Sequence, residues 1–206
     1  MLALQAQDVA LAYHGQWVLQ GLSFTLQPGS HTALTGPNGV GKSSLLRILA
    51  GHLSPSQGQV TYKLQGQHIP AALRYRHLSW TGPQLELPMN LQVQEVWRLH
   101  FRSRTCRYPA HLGKGLGHFS LAGLAHQPLR QLSSGQLQRL KLGLALWTEA
   151  PLLLLDEPTE FLDAHFAALA WGWIQAEAAE RTLVVATNRE AEAARLPQQL
   201  RLKTTA

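Results

Sequence analysis

The stretch Gly36-Pro37-Asn38-Gly39-Val40-Gly41-Lys42-Ser43 decides how this chain is read. It meets the pattern G-x-x-x-x-G-K-[ST] at every fixed position, and its residue types are those that wrap backbone around phosphate. Glycines at 36, 39 and 41 permit positive φ and close backbone approach, so successive amide N–H groups turn inward as an anion nest. A helix expected over residues 42–50 follows, and its unpaired N-terminal amides and dipole favour negative charge at the same point. Lys42 is placed to reach the β- and γ-phosphates of a nucleotide and Ser43 to ligate Mg²⁺. Upstream, His31-Thr32-Ala33-Leu34-Thr35 reads as a short buried strand. Downstream, Ser44-Leu45-Leu46-Arg47-Ile48-Leu49 reads as an amphipathic helix ending at Gly51. Strand, loop and helix form the context that separates a phosphate cradle from an ordinary glycine-rich turn.

A second constellation lies far downstream, in Leu152-Leu153-Leu154-Leu155-Asp156-Glu157-Pro158. Four consecutive leucines ending in charge describe a central strand of a parallel sheet, buried on both faces, with its C-terminal end at a site. Alone, such an acid pair is a strand reaching solvent. Beside a phosphate loop it resembles the acidic strand of P-loop NTPases, where Asp156 would hold Mg²⁺ through its water shell. Glu157, one residue on, would orient the attacking water or accept its proton.

Between these two stretches, Leu132-Ser133-Ser134-Gly135-Gln136 precedes an amphipathic helix expected over residues 137–147. Serines and glycine at a helix start give a second anion-binding N-terminus, although a plain serine-capped helix reads the same way locally. Here the chain resembles the ATP-binding cassette (ABC) ATPases, whose signature is L-S-G-G-Q. In that family two cassettes pair head to tail around two ATP molecules, and the signature helix of one caps the γ-phosphate held by the other. Ser133, Ser134, Gly135 and Gln136 would then act across a dimer.

The resemblance covers essentially the whole chain and implies an α/β fold. It is that of a P-loop NTPase ABC cassette, with a RecA-like core, an N-terminal antiparallel β region and a compact helical subdomain. Residues 1–84 and 132–206 would form the core and residues 85–131 the helical subdomain, together one ABC ATP-binding domain. Tyr13 falls where the family stacks an aromatic ring on adenine. Gln84 resembles the glutamine that joins the Mg²⁺ site to the helical subdomain and the membrane partner. Asp163, closing Thr159-Glu160-Phe161-Leu162-Asp163, resembles the aspartate that touches the opposite subunit. Two positions depart from the pattern. Ser134 replaces the first glycine of the signature pair, adding a hydroxyl that can donate a hydrogen bond. Asn188, at the end of Leu183-Val184-Val185-Ala186-Thr187-Asn188, stands where the family places a histidine on the γ-phosphate. An asparagine amide donates hydrogen bonds but never carries a proton as imidazolium does.

The rest of the chain agrees with a single cassette. At 206 residues one domain with a sizeable core is the default. Strands are expected over residues 2–13, 18–26 and 59–62, with a turn at Gln27-Pro28-Gly29 and a loop at Ser54-Pro55-Ser56-Gln57-Gly58. The tail after Leu196 is read as too short for a regulatory domain. The lone Cys106 excludes an internal disulfide framework and fits a reducing compartment. No leader and no membrane span is expected, since no apolar run nears about 20 residues. The net charge of +6 and pI near 9.9, with Arg98, Arg102, Arg104 and Arg107 close together, raise nucleic-acid binding. That cluster falls in the helical subdomain, where a solvated face or a neighbouring membrane partner and anionic lipid is the stronger reading, so no direct nucleic acid is expected. The ten histidines have no metal-ligand spacing, and the six tryptophans, Trp171 and Trp173 among them, read as packing.

The resemblance therefore implies an ATPase subunit of an ABC transporter, using ATP and Mg²⁺. It would work as a dimer with a second ABC cassette, a homodimer first and a heterodimer left open. Its place would be peripheral, on the cytoplasmic face of the inner or cell membrane against integral membrane subunits. Small size and the segment Gly21-Leu22-Ser23-Phe24-Thr25-Leu26 look most like the haem-exporter type that serves cytochrome c maturation. A generic small-molecule or lipid exporter ATPase, a soluble cassette acting on ribosomes or DNA, and a degenerate ATP-binding switch remain as alternatives. With Asn188 altered and Glu157 intact, turnover should be slow unless the partner is engaged, lost on Glu157→Gln and held or raised on Asn188→His. Phosphate release by the purified protein checks this, and equal rates for wild type and Glu157→Gln remove Glu157 from catalysis.

Overall fold

The computed structural model describes residues 2–108 and 112–203. Among these the chain forms two compact units. One runs to Trp80 and also takes in Ala150–Glu157 and the chain from Glu180 onward; the other comprises Thr81–Glu149 and Pro158–Ala179.

The first unit holds two sheets. Strands β1 (Leu2–Tyr13), β2 (Gln16–Leu26), β4 (Gln57–Leu64) and β5 (Gln67–His68) form an antiparallel sheet in the order β2-β1-β4-β5. Strands β3 (His31–Thr35), β6 (Leu78–Thr81), β7 (Leu152–Asp156), β8 (Thr182–Ala186) and β9 (Gln198–Arg201) form the other, in the order β6-β7-β8-β3-β9. β3 pairs in parallel with β8 and β9, and β7 with β8. Every residue of β7 and β8 is buried, as continuous apolar runs covered on both faces require. Helix α1 (Lys42–Ala50) presents Leu45, Leu46 and Leu49 on one face, and these enter one core with Leu2, Leu4, Tyr62 and Leu154. Each such leucine contributes about 1.5–3 kcal/mol relative to exposure. The helix stops at Gly51, whose φ of 77° lets its N–H turn back to the Arg47 and Ile48 carbonyls. The short α6 (Glu190–Ala193) follows β8.

The second unit contains α2 (Val93–Ser103), α3 (Leu112–His118), α4 (Ser134–Trp147) and α5 (Ala164–Ala178). Its core is aromatic. Phe119 lies 6.1 Å from Trp97, 5.7 Å from Trp147 and 5.1 Å from Trp173, centroid to centroid. Glycines make room for these rings: a Cβ on Gly143 of α4 would sit 2.7 Å from Phe119 Cδ2. Beside the cluster, His100 Nε2 is 2.8 Å from Thr148 Oγ1, whose own hydroxyl proton goes to the Leu144 carbonyl at 2.7 Å. Nε2 is therefore the protonated nitrogen of a neutral ring. Burial, and secondarily the Arg104 charge, lower the His100 pKa to about 4.

Several elements differ from expectation. The strand expected through Asn188 ends at Ala186: Thr187 N–H still donates to the Leu34 carbonyl at 3.2 Å, while the Thr187 hydroxyl turns to Glu192 and the Asn188 side chain to Asn38. The helix expected from residue 137 starts at Ser134, extended by its cap, and the strand at 59–62 spans Gln57–Leu64 as the partner of the long β1. β6 and β9 carry no distinct sequence signal, being four residues each. The second unit also takes in α4 and α5, which the sequence reading placed with the core, since these two helices pack on one another and on the aromatic cluster.

Two outcomes follow from this packing. Gly143→Ala should lower the unfolding free energy measured by urea titration by about 1–3 kcal/mol, the range for overpacking a filled core. Lowering the pH from 6.5 to 4 should destabilise the protein, because the unfolded chain takes up a proton on His100 that the folded chain refuses. The slope approaches about 1.4 kcal/mol per pH unit at most, and a His100→Gln variant followed by thermal melts at pH 7 and 5 should flatten it.

Candidate functional site

The loop between β3 and α1 has the backbone its sequence predicts. Gly36, Gly39 and Gly41 adopt φ of 143°, 78° and 101°, in the region that favours glycine. Two of them also face walls. A Cβ on Gly36 would meet the Leu202 carbonyl oxygen at 2.8 Å, and one on Gly41 would meet Leu19 Cδ2 at 2.7 Å. The first helical bond runs from Leu45 N to Gly41 O at 2.8 Å. Ahead of it the amides of Lys42, Ser43 and Ser44 have no intrahelical acceptor, and Gly41 supplies no side-chain cap. Lys42 is buried, its ammonium donating to the Gly36 and Pro37 carbonyls at 2.9 and 3.1 Å. The loop thus curls around a cation and keeps its amides for an anion.

Parallel register brings the other groups of this unit to the same edge. Ala186 of β8 pairs with Leu34 on one side and Asp156 on the other. Thr35, Asp156 and Ala186 accordingly mark the ends of three neighbouring strands, with Thr187 next along the chain. Asp156 is 2% exposed, while Glu157 is half-buried with φ of 45°, its N–H bonded to the Ala186 carbonyl at 2.9 Å. A left-handed glutamate is uncommon and costs on the order of 1 kcal/mol, a strain typical of functional turns. Asn188 is exposed and donates from Nδ2 to Asn38 Oδ1 at 3.1 Å. Tyr13, 42% exposed, ends β1 opposite Gln16, three residues before the Leu19 that walls Gly41.

The donor set suits a nucleoside triphosphate with a hard divalent cation. Amides and an ammonium meet phosphate oxygens, and the Ser43 hydroxyl with the Asp156 carboxylate offers oxygen ligands. No group of three His, Cys, Asp or Glu side chains able to hold a metal exists among the described residues. Two protein oxygens match Mg²⁺, which keeps waters and phosphate oxygens as its remaining ligands.

The remaining expected residues lie in the second unit. Ser133 is the N-cap of α4: its Oγ accepts from Gln136 N at 3.2 Å, while Gln136 Oε1 accepts from Ser133 N at 2.9 Å. Ser134 opens the helix, exposed. Gly135 has its own reason, since a Cβ there would approach the Phe161 carbonyl oxygen to 2.9 Å. Asp163 caps α5, with Oδ1 accepting from Phe166 N at 2.8 Å. Gln84 is exposed in the turn after β6, and Lys141 of α4 donates to the Gly82 and Pro83 carbonyls of that turn at 3.4 Å each. Burial, opposed by Glu160, lowers the Lys141 pKa.

A family model described as ABC transporter matches residues 19–160, from β2 past the acid pair. The chain belongs to the ABC transporter family. It is an ATP-binding subunit of that kind and by type an ATPase. Among curated relatives it is 37% identical to the cytochrome c biogenesis ATP-binding export protein CcmA of Bartonella henselae, over 82% of this chain and 79% of that one. It is 31% identical to the protein of the same name from Rhizobium etli, over 97% and 94%. It is 33% identical to the Nod factor export ATP-binding protein I of Rhizobium meliloti, over 97% of this chain and 61% of that one. Its fold is similar to the ATP-binding cassette MJ0796, solved as a dimer in a post-hydrolysis state with ADP and Pi, with a TM-score of 0.82, 22% identity and coverage of 97% and 94%.

Sequence reasoning about this ABC transporter subunit missed the walls of the cradle. Leu19 and Leu202 touch the glycines from β2 and from beyond β9, and neither has a local signal. Trp17, 39% exposed, is a second exposed aromatic at the β1–β2 turn, legible only as an unexplained aromatic after a His-Gly turn. Gly36→Ala and Gly41→Ala should each weaken ATP binding at least tenfold in a fluorescent-nucleotide titration, since backbone or packed side chains must shift and the required φ is strained. Asp163→Ala should cost about 1 kcal/mol of denaturant stability through loss of the α5 cap.

Proposed function

We propose that this chain is the ATP-hydrolysing subunit of an exporter of the haem-exporter type that serves cytochrome c maturation, docked on separate membrane subunits. The cradle at residues 36–43 beside Asp156 and Glu157, on one edge of a parallel sheet, is the observation that carries the ATPase part of this reading. The cytochrome c biogenesis export proteins, at 31–37% identity, support the choice of exporter. The Nod factor export relative keeps a second reading open, a general small-molecule exporter ATPase.

In this mechanism the phosphates rest on the amides ahead of Leu45, and Lys42 turns its ammonium from the Gly36 and Pro37 carbonyls toward β- and γ-oxygens. Tyr13 stacks on the base. Ser43 and Asp156 would hold Mg²⁺, which would supply charge neutralisation for phosphoryl transfer, and the resemblance assigns Gln84 to the same ion. Glu157 aligns the attacking water and accepts its proton, and Asn188 donates to the γ-phosphate. A dimer of cassettes lets Ser133, Ser134, Gly135 and Gln136, with Asp163, face the nucleotide of the partner. None of the described helices is long and apolar enough to cross a membrane. In the exporter reading the chain docks on separate membrane subunits from the cytoplasmic side.

Affinity isolation of the chain from gently solubilised native membranes tests the reading. A stoichiometric polytopic membrane protein should co-purify, together with components that handle haem or c-type cytochromes. A polytopic partner with no such link favours the general exporter, and ribosomes or nucleic acid without a membrane subunit overturn the transporter reading.

A further inference from the structure

Outside the nucleotide site, the first unit holds an arginine whose charge the fold leaves unanswered. Arg74, half-buried, belongs to a short 3₁₀ segment, Ala71–His77, between β5 and β6. Its guanidinium carbon lies 5.0 Å from the centroid of the fully buried Tyr62 ring, and its Nε is shielded from solvent without a hydrogen-bond partner. Among the described residues no carboxylate pairs with it. We propose that Arg74 and the cavity it borders bind a phosphate ester group, carried by an anionic phospholipid headgroup or by a soluble ester of the same chemistry.

The cavity, of about 330 Å³, lies between the C-terminal end of α1, the start of β4 and the 3₁₀ segment, where Gly51, Ser54, Thr61 and His68 line it together with Arg74. None of its lining residues is acidic. The carbonyls at the end of α1 serve its own cap: Ile48 O accepts from Gly51 N at 3.0 Å, and Arg47 O from His52 N and Leu53 N at 2.9 and 3.2 Å. Burial raises the Tyr62 pKa, with the Arg74 charge opposing, so the phenol stays neutral and gives Arg74 a π face instead of a counter-ion. A guanidinium presents five donors in a planar fork that fits two oxygens of one phosphate. Stacking on Tyr62 sets the plane of that fork before any ligand binds. A buried donor without an acceptor is costly, and a phosphate oxygen in the cavity removes that cost.

The distribution of charge along the chain points the same way. No Asp or Glu stands between Asp8 and Glu86, a stretch that includes Lys63, Arg74 and Arg76. The surface formed by β4, β5 and the 3₁₀ segment therefore carries cations with no acid of its own. Leu73 and Tyr75, on either side of Arg74 in the chain, are 41% and 50% exposed, and Arg76 Nε donates to the Tyr75 hydroxyl at 3.1 Å. Exposed apolar side chains beside a phosphate receptor suit the boundary of headgroups and acyl chains, where rings and aliphatic tips enter while cations stay with phosphate. These neighbours favour the lipid headgroup as the source.

Sedimentation of the purified chain with vesicles tests the site, using phosphatidylcholine alone and an equal mixture of phosphatidylcholine and phosphatidylglycerol. The chain should sediment with the mixed vesicles only. Arg74→Ala should weaken this binding about tenfold or more, as expected for lost charge-assisted hydrogen bonds. Arg74→Lys keeps the charge without the fork and should stay well below wild type, and it decides alone if Arg74→Ala does not fold. Arg76→Ala removes an exposed cation of the same segment and should cost no more than about fivefold. Unchanged ATP binding shows that each variant is folded. Calorimetry with glycerol phosphate separates the two sources: binding that Arg74→Ala abolishes shows that the ester group suffices, and vesicle binding without it assigns the site to the bilayer. Wild-type affinity in Arg74→Lys, or equal losses for Arg74→Ala and Arg76→Ala, leaves only a diffuse positive field and overturns the site. Binding to neither vesicles nor glycerol phosphate overturns it as well.

Discussion

The register of three parallel strands is the constraint on which the site of the first unit depends. Ala186 pairs with Leu34 and with Asp156, so β8 sets how far the phosphate loop stands from the acid pair. Two strand spacings of about 4.8 Å separate β3 from β7. A one-residue slip of β7 against β8 would move Asp156 along the strand axis by about 3.3 Å and turn its side chain to the other face. Four fully buried leucines resist that slip, because each would exchange its packing partners at once. Hydrophobic burial in β7 and β8 therefore does chemical work indirectly, by fixing where the carboxylates stand.

Around that frame the phosphate loop is shaped by two kinds of exclusion. Positive φ at Gly36 and Gly41 demands a residue without Cβ, and the Leu202 carbonyl and the Leu19 side chain forbid one sterically. The loop consequently has no conformational slack at those points and can keep its amides directed inward before any ligand arrives, so little ordering cost falls on binding. In the second unit, Gly135 obeys the same rule toward the Phe161 carbonyl, and Ser133 with Gln136 closes the start of α4 by reciprocal caps. These caps explain locally why a serine and a glutamine stand there. What they would contact in a partner cassette is a separate demand on the same residues.

Much of this was legible in the chain before any coordinates. The glycine spacing and Lys42 specified a phosphate cradle, the leucine run specified a doubly buried strand with acids at its end, and the serine-glutamine pair specified a helix start. Each of these is a short-range pattern, in which steric freedom, alternation of burial or capping acts within about seven residues. Less legible were β6 and β9, four residues long and paired at positions remote in sequence. The aromatic cluster of Trp97, Phe119, Trp147 and Trp173 was legible as packing but not as a cluster.

By itself, then, the sequence determined the local chemistry of this protein: which loop can hold phosphate, which strand must be buried, which acids end it, and which family these residues belong with. Only the tertiary structure decided that Leu202 and Leu19 wall the loop, that Glu157 sits in a left-handed turn, and that Asn188 reaches Asn38. Local patterns reflect forces acting over one turn of helix or a few residues of strand. Contacts between residues 150 positions apart depend on strand order and register, which arise only when many weak, distant packing terms are satisfied together.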